Sequence, residues 1–128
     1  MRILLDTQAF LWMVWGAPEF SSKAKRLIVD PENNLFLSLA SIWEIAIKSS
    51  IGKLKIADPI ESFIPAEMQE NDIERLDVTF RHFVRVASLP FHHRDPFDRL
   101  LVCQVAEERL TLISADPMFD RYKIPRIW

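Results

Sequence analysis

Four acidic side chains stand at the ends of segments that the sequence predicts to be regular. Asp6 ends the short apolar run Arg2–Asp6, and Asp116 comes shortly after the run that closes at Ser114. Glu44 and Asp98 each fall in the first turn of a predicted helix. Clustered carboxylates repel one another and need a cation to stay ionised together. Oxygen ligands without Cys or His partners favour Mg²⁺ or Mn²⁺, which is the arrangement of a phosphodiester-cleaving site.

The apolar periodicity of the chain alternates between short strands and amphipathic helices. Such an order is typical of βαβ units with a parallel sheet covered on both faces. We therefore predict an α/β fold with three layers and a mostly parallel sheet of about five strands. The predicted strands are Arg2–Asp6, Leu35–Ser38, Ile73–Leu76, Thr111–Ser114 and Ile124–Ile127. The predicted helices are Thr7–Trp15, Ser21–Val29, Ser41–Ser50, Pro59–Gln69, Thr79–Ala87 and Pro96–Arg109, with a helical turn at Pro117–Tyr122.

This order of elements brings the four acids to one edge of the sheet. Ligands of open parallel sheets bind beyond the carboxyl ends of the strands, where the strand order reverses. If the first and fourth strands are neighbours, Asp6 and Asp116 face each other there. The helix that follows the second strand and the helix that precedes the fourth both begin at this edge, which adds Glu44 and Asp98. The metal hypothesis rests on the set of four.

Each acid also has a purely structural interpretation. Ser41-Ile42-Trp43-Glu44 matches a capping box, and Asp95-Pro96 is an N-cap followed by Pro, with Asp98 in the first turn. Asp6-Thr7 and Asp116-Pro117 are cap signals as well. Taken alone, each acid fits a helix cap better than a metal ligand.

Four stretches of the sequence resemble the successive motifs of PIN-domain toxins of the VapC type. They are Ile3-Leu4-Leu5-Asp6-Thr7, Ser41-Ile42-Trp43-Glu44-Ile45, His93-Arg94-Asp95-Pro96-Phe97-Asp98-Arg99-Leu100-Leu101 and Leu112-Ile113-Ser114-Ala115-Asp116. They occur in order over nearly the whole chain, and Arg94–Leu101 is the most specific of them.

The resemblance implies an endoribonuclease that depends on Mg²⁺ or Mn²⁺ and acts as the toxin of a toxin–antitoxin pair. It implies that Asp6, Glu44, Asp98 and Asp116 are the catalytic, metal-binding acids. Thr7 and Ser114 then occupy positions of supporting hydroxyl groups. The family is usually dimeric and is neutralised by a cognate antitoxin protein. This sequence lacks the basic residue that many relatives carry beside the last acid.

Basic residues near the acids are candidates for holding the RNA backbone. Arg94, Arg99 and Lys48 are expected to flank the cleft, with Arg94 or Arg99 compensating for the missing basic neighbour of Asp116. Lys53 and Lys55 are further candidates, and a solvated charged surface explains all five equally well. His92 and His93 are expected to be loop or RNA-contact residues, because no partner stands at zinc-ligand spacing.

Composition bounds these hypotheses. The 128 residues are 49% hydrophobic and 27% charged, with a net charge of −2, so we expect one globular domain over residues 1–128 and no general polyanion binder. The lone Cys103 is expected to be a buried small hydrophobe in a reducing compartment. The N-terminal apolar run is too short for a signal peptide or a membrane span. We therefore expect a cytoplasmic protein without membrane contact.

Two helices carry more apolar surface than one core stripe needs. Trp12, Met13 and Trp15 do so in the first helix, and Phe63, Ile64 and Met68 in the helix Pro59–Gln69. Core packing is the default explanation, and a homodimer interface or a groove for an antitoxin helix is the alternative.

Two other classes of function remain open. The first is an Asp-based phosphotransfer domain, although the chain has no acidic pair before its first strand and reads Asp6-Thr7-Gln8 where a phosphatase needs Asp-x-Asp. The second is a catalytically idle protein-binding module, which has no reason to keep all four acids.

Overall fold

A computed structural model describes all residues from 1 to 128. The strands are β1 (Arg2–Leu5), β2 (Asn34–Ser38), β3 (Ile73–Leu76), β4 (Thr111–Ile113) and β5 (Arg126–Ile127). The helices are α1 (Thr7–Trp15), α2 (Ser22–Val29), α3 (Leu39–Ser50), α4 (Ile60–Glu70), α5 (Phe80–Ser88) and α6 (Pro96–Glu108), and a short 3-10 helix covers Pro117–Tyr122. The predicted elements all exist, and their ends differ from the prediction by two residues at most.

The five strands form one sheet in the order β3-β2-β1-β4-β5, and every pair is parallel. The central strand β1 pairs with β2 through Leu5 and Leu37 and with β4 through Leu5 and Ile113. The order therefore reverses at β1. β1 and β4 are neighbours, which is the condition on which the meeting of Asp6 and Asp116 depended, and the residues that follow these strands lie at the same sheet edge.

Alternate residues of the strands pack into two separate cores. Ile3 and Leu5 of β1 belong to a core that also contains side chains of α1, α2 and α4. Leu4 points to the opposite face and belongs to a second core formed with α6 and the 3-10 helix. Because the three inner strands β2, β1 and β4 have buried residues on both faces, helices cover the sheet on both sides. This confirms the predicted three-layer α/β/α architecture, and the lone Cys103 is buried as expected.

Helix α3 begins earlier than the sequence predicted. Ser38 is its N-cap and accepts a hydrogen bond from the Ala40 amide, so Ser41 lies inside the helix. The hydroxyl of Ser41 is buried and has no hydrogen-bond partner. The capping-box interpretation of Ser41 and Glu44 is therefore wrong, and Glu44 is free for another role.

Helix α4 also begins differently from the prediction. Pro59 is its N-cap and provides no side-chain hydrogen bond, so Asp58 does not cap it. No helix of the structure combines the length and the apolar character needed to cross a membrane.

Candidate metal centre

A cavity of about 330 Å³ opens at the carboxyl ends of β1 and β4. All four predicted acids line it: Asp6, Glu44, Asp98 and Asp116. Asp95 and two lysines, Lys48 and Lys53, share the wall. The order of the elements thus brings together acids that are distant in the sequence, since each acid lies 18 to 54 positions after the one before it.

Asp6 is one of the two buried acids of the cavity, with Glu44. It directly follows β1, and its backbone amide donates to the Ile113 carbonyl of β4. Its Oδ1 accepts the Ala9 amide at 2.7 Å and caps α1. Burial raises the pKa of Asp6 to about 6, and the charges of Glu44 and Asp116 add to the rise, against hydrogen bonds from Ser114 and Ala9. The carboxylate form therefore needs a positive neighbour in order to be stable at this position.

Asp98 shows the same crowding of negative charge. Asp95 caps α6 by accepting the Phe97 amide at 2.7 Å, and Pro96 opens the helix, which fixes Asp98 in the first turn. Burial raises the pKa of Asp98 to about 7, and the charges of Asp95, Glu44, Asp6 and Asp116 raise it further. All the acids of the cavity therefore act on this one carboxyl group.

Glu44 is buried and held from two sides. The Thr7 hydroxyl donates to its Oε1 at 2.6 Å, and the Lys48 ammonium contacts its Oε2 at 2.5 Å. Thr7 lies in the first turn of α1, one residue after Asp6, so this contact ties α1 to α3. Sequence analysis gave Thr7 a supporting role through the family resemblance, and the structure places its hydroxyl directly on Glu44.

Asp116 is partly exposed, with 44% of its side chain accessible. Its backbone amide donates to the buried Ser114 hydroxyl, and its Oδ1 accepts the Met118 amide at 2.9 Å. Because the Ser114 hydroxyl also lowers the pKa of Asp6, this side chain links the ends of β1 and β4. Ser114 thus lies behind the acids and not in the cavity wall.

His93 contacts the site in a way that sequence analysis missed. Its Nε2 lies 2.8 Å from the Asp116 Oδ2, and its ring packs against Phe119 and Tyr122. The predicted loop position of His93 is confirmed, but its side chain is only 8% exposed and is held against Asp116, so it is not placed as an RNA contact. Asp95 was likewise interpreted only as a cap, although it also lines the cavity. Neither contact could be found from local spacing, because both depend on how distant segments pack.

The donor chemistry of the cavity suits a hard divalent cation, since the ligand atoms on offer are carboxylate oxygens. The like charges that raise the pKa values of Asp6 and Asp98 are those a cation would offset. The side chains are not closed around one point, however, because no three His, Cys, Asp or Glu residues are placed to hold one ion. The acids fit the ion by type and location. Because Glu44 is paired with Lys48, capture of the ion requires side chains such as Glu44 to turn inward.

Arg99 and Arg94 have different surroundings. The Arg99 side chain is buried, and its guanidinium donates to the carbonyls of Pro90 and Leu89 at 2.9 and 3.1 Å beneath the Phe91 ring. Its donors are used inside the protein, which corrects the expected RNA contact and the compensation proposed for it. Arg94 is exposed just before α6, and Lys48 lines the cavity.

The fold and the site together define a class: a three-layer α/β/α domain with an acid-lined cavity where the order of its parallel strands reverses. The sequence agrees with this class, because the family model of the PIN domain matches residues 3–125. The chain belongs to the PIN-domain family.

Known proteins are similar to this chain either in part of the sequence or in the whole fold. Ribonuclease VapC16 of Mycobacterium tuberculosis is 33% identical over 66 residues, which cover 52% of this chain and 47% of that protein, so the match spans about half of each. VapBC2 from Rickettsia felis, bound to a DNA fragment from its promoter, has a TM-score of 0.74 at 16% identity and covers 99% of this chain and 98% of its own. DNA-bound VapBC from Salmonella typhimurium has a TM-score of 0.71 at 16% identity, with 100% and 97% covered.

Proposed function

We propose that this chain is an endoribonuclease that depends on Mg²⁺ or Mn²⁺ and serves as the toxin of a toxin–antitoxin pair. One observation carries the nuclease proposal: Asp6, Glu44, Asp98 and Asp116, from four separate segments, line one cavity and crowd their negative charges there. Acids that served only as helix caps would not need to lie together in one cavity. Membership of the PIN-domain family and the similarity to ribonuclease VapC16 support the choice of RNA as the substrate.

The four acids would hold the divalent cation, and the other residues of the site would orient them. Bound there, the ion supplies a water of lowered pKa and stabilises charge on the attacked phosphate. Thr7 fixes the direction of Glu44 through its hydrogen bond. Ser114 sets the spacing between Asp6 and Asp116. In-line attack on the phosphodiester would leave a 5′-phosphate and a 3′-hydroxyl.

Lysines and one arginine would hold the RNA backbone. Lys48 and Lys53 lie in the cavity wall, and the exposed Arg94 lies close to Asp95 along the chain. The net charge of −2 offers no general attraction for RNA, so these local charges must supply it. Their contribution should appear as binding that weakens with added salt.

An antitoxin helix would fit an apolar groove between α3 and α4. Leu39 and Ile42 line one side, and Ile60, Ile64 and Met68 line the other, around a volume of about 500 Å³. The large apolar surface of α4 is therefore divided. Phe63 and Ile64 are buried in the core, and part of the remaining apolar surface faces this groove. Grooves of this kind accept amphipathic helices. The partner itself is proposed from the resemblance to VapC-type toxins.

Self-association would cover another apolar surface. Phe80, Phe83 and Val84 form a stripe along one side of α5 and are 80%, 54% and 55% exposed. Burying such a stripe removes apolar area from water. We propose a homodimer through this stripe. Sedimentation should show a dimer for the wild type and a monomer for Phe83→Glu, while a wild-type monomer at micromolar concentration would contradict it.

The nuclease proposal is tested by incubating the purified protein with total RNA and mapping the 5′ ends. We expect cleavage with Mg²⁺ or Mn²⁺ and none with a chelator, and the 5′ ends should carry phosphate. Asp6→Asn should abolish cleavage while leaving the fold intact, since Asn can also cap α1. Metal-independent cleavage, or full activity of Asp6→Asn, would reject the proposal. Acid-labile phosphate on Asp6 would instead indicate a phosphotransfer domain.

A further inference from the structure

His93 is a buried histidine, 8% exposed in its side chain, that reaches an acid of the cavity from outside the cavity wall. It lies in the loop before α6, and its Nε2 is 2.8 Å from the Asp116 Oδ2. The opposite oxygen of Asp116 accepts the Met118 amide. Both oxygens of Asp116 therefore have a donor within the protein, which fixes the plane of the carboxylate. Each oxygen keeps a second lone pair for a ligand in the cavity.

Tyr122 decides which nitrogen of His93 carries the proton. The Tyr122 hydroxyl oxygen accepts the His93 backbone amide at 2.8 Å and lies 3.1 Å from Nδ1. Because that oxygen already accepts one proton, its own proton can be donated to Nδ1. A neutral imidazole that accepts at Nδ1 carries its proton on Nε2, which is the nitrogen that faces Asp116.

Stacking holds the imidazole in this direction. The His93 ring lies parallel to the Tyr122 ring, with 10° between their planes and 5.5 Å between centroids, and its centroid is 4.4 Å from that of Phe119. The ring is thus fixed by two aromatic neighbours and by hydrogen bonds at both nitrogens. A side chain that only filled space would need none of these polar contacts.

We propose that His93 is a positioning residue for Asp116: its Nε2–H holds the carboxylate toward the cavity, and the Tyr122 hydroxyl fixes the tautomer that makes this possible. The inference rests on the proposed function, because Asp116 is taken to bind the divalent cation. Partners that orient a metal ligand in this way matter about 10–100-fold for metal affinity or activity. A purely structural His93 would instead anchor the loop without affecting the ion.

Two amide substitutions separate these roles. In His93→Gln the amide nitrogen can take the place of Nε2 and still donate to Asp116. In His93→Asn the amide reaches only the place of Nδ1, so Asp116 loses its donor. Both variants lose the aromatic ring and with it the stacking on Tyr122 and Phe119. They are therefore matched in structural damage and differ in the contact that the proposal requires.

Mn²⁺ binding by calorimetry is the main readout, with the melting temperature measured in chelator and kcat and KM on an RNA substrate alongside. We expect His93→Gln to keep most of the wild-type affinity for Mn²⁺ and His93→Asn to lose about 10–100-fold, with similar melting temperatures. The loss of activity should fall on kcat and not on KM for RNA. Equal Mn²⁺ affinity in the two variants, high or low, would overturn the proposal.

Nitrogen NMR of the wild type above neutral pH gives a second readout, the tautomer. The proton should be on Nε2 in the wild type, and Tyr122→Phe should yield a mixture of tautomers. A proton on Nδ1 in the wild type would also reject the assignment. A wild type that binds Mn²⁺ and cleaves no RNA would refute the nuclease proposal while the His93 comparison still stands. A wild type that binds no Mn²⁺ would overturn both.

Discussion

Three of the four acids have a structural role as well as a place in the cavity. Asp6 caps α1, Asp116 caps the 3-10 helix through Met118, and Asp98 follows its cap Asp95 in the first turn of α6. The capping and the metal hypotheses are therefore compatible at these residues. Glu44 and Asp98 do not cap their helices, since Ser38 and Asp95 take those positions. A capping acid uses one oxygen to accept an amide of the first helical turn. Its other oxygen stays available, so one residue can both cap a helix and contribute to the cavity.

Asp98→Asn tests the crowding of charge. The pKa of Asp98 is raised from 3.8 to about 7, so the folded protein binds this proton more tightly than the unfolded chain does. Stability gained from Asp98 is thus present below pH 4 and is lost as the pH rises to about 7. Without metal, Asp98→Asn should melt a few degrees higher than the wild type at pH 8, and its melting temperature should fall less between pH 4 and 7.

Asp58→Asn is the control for that experiment, because Asp58 is exposed in the loop before α4 and its replacement should leave the pH dependence unchanged. Asp98→Asn should also cleave no RNA. Retained Mg²⁺-dependent cleavage would remove Asp98 from the metal centre.

Thr7→Val tests the orientation of Glu44. Valine keeps the shape of threonine and removes the hydroxyl that donates to the Glu44 Oε1 at 2.6 Å. The loss should cost about 1–3 kcal/mol in unfolding free energy and reduce cleavage about 10–100-fold. Thr7→Ser keeps the hydroxyl and should restore most of both. If Thr7→Ser were as inactive as Thr7→Val, the methyl group and not the hydrogen bond would be the important feature.

At the scale of elements, the loop between α5 and α6 depends on one buried arginine. Arg99 extends from α6 and binds the carbonyls at the end of α5 and in the loop. The loop in turn places His93 and Asp95. Arg99→Met should therefore cost about 1–3 kcal/mol in unfolding free energy, because buried carbonyls lose their donor, and should also weaken cleavage.

Arg94→Met is the matched substitution, since Arg94 is exposed. It should leave the denaturation midpoint unchanged and make RNA binding less sensitive to salt. Denaturant titration and binding at several salt concentrations distinguish the two variants. Unchanged stability in Arg99→Met would show that the loop is held by other contacts.

The elements themselves were predictable because their apolar periodicity is strong, whereas their ends and long-range contacts were not. Serine is a favoured N-cap residue, so Ser38 and Ser41 were both candidates. Ser38 is the N-cap of α3 because β2 ends there and its hydroxyl contacts Gln104 of α6. Arg99 looked like a free basic residue because its carbonyl partners belong to a loop. His93 and Tyr122 meet across 29 residues, which no local pattern reveals.

The whole molecule combines two packed hydrophobic cores with a cavity in which negatively charged carboxylates repel one another. The sheet supplies the rigidity, and Asp6 and Asp98 at its edge are less stable as carboxylates than they would be in water. A ligand that binds only the folded state stabilises it by mass action. Proteins commonly hold such unfavourable groups where function needs them.

The proposed antitoxin groove gives a prediction at the same scale. Ile60→Glu places a charge in the groove, while Ala66→Glu places the same charge on an exposed part of α4. The partner to test is the protein of the adjacent reading frame, co-expressed with this chain. The affinity of Ile60→Glu for that partner should fall about tenfold or more, because a charge at an apolar contact costs about 1.4 kcal/mol or more of binding free energy. Ala66→Glu should bind normally. Equal binding by both variants would place the partner elsewhere.

The most direct test of the account is the anomalous diffraction of crystals soaked in Mn²⁺. We predict a peak in the cavity with oxygens of Asp6, Glu44, Asp98 and Asp116 turned toward it at about 2.0–2.3 Å. A fully soaked crystal with no peak there, or with the metal bound only at other residues, would contradict the central claim that these acids form one cation site.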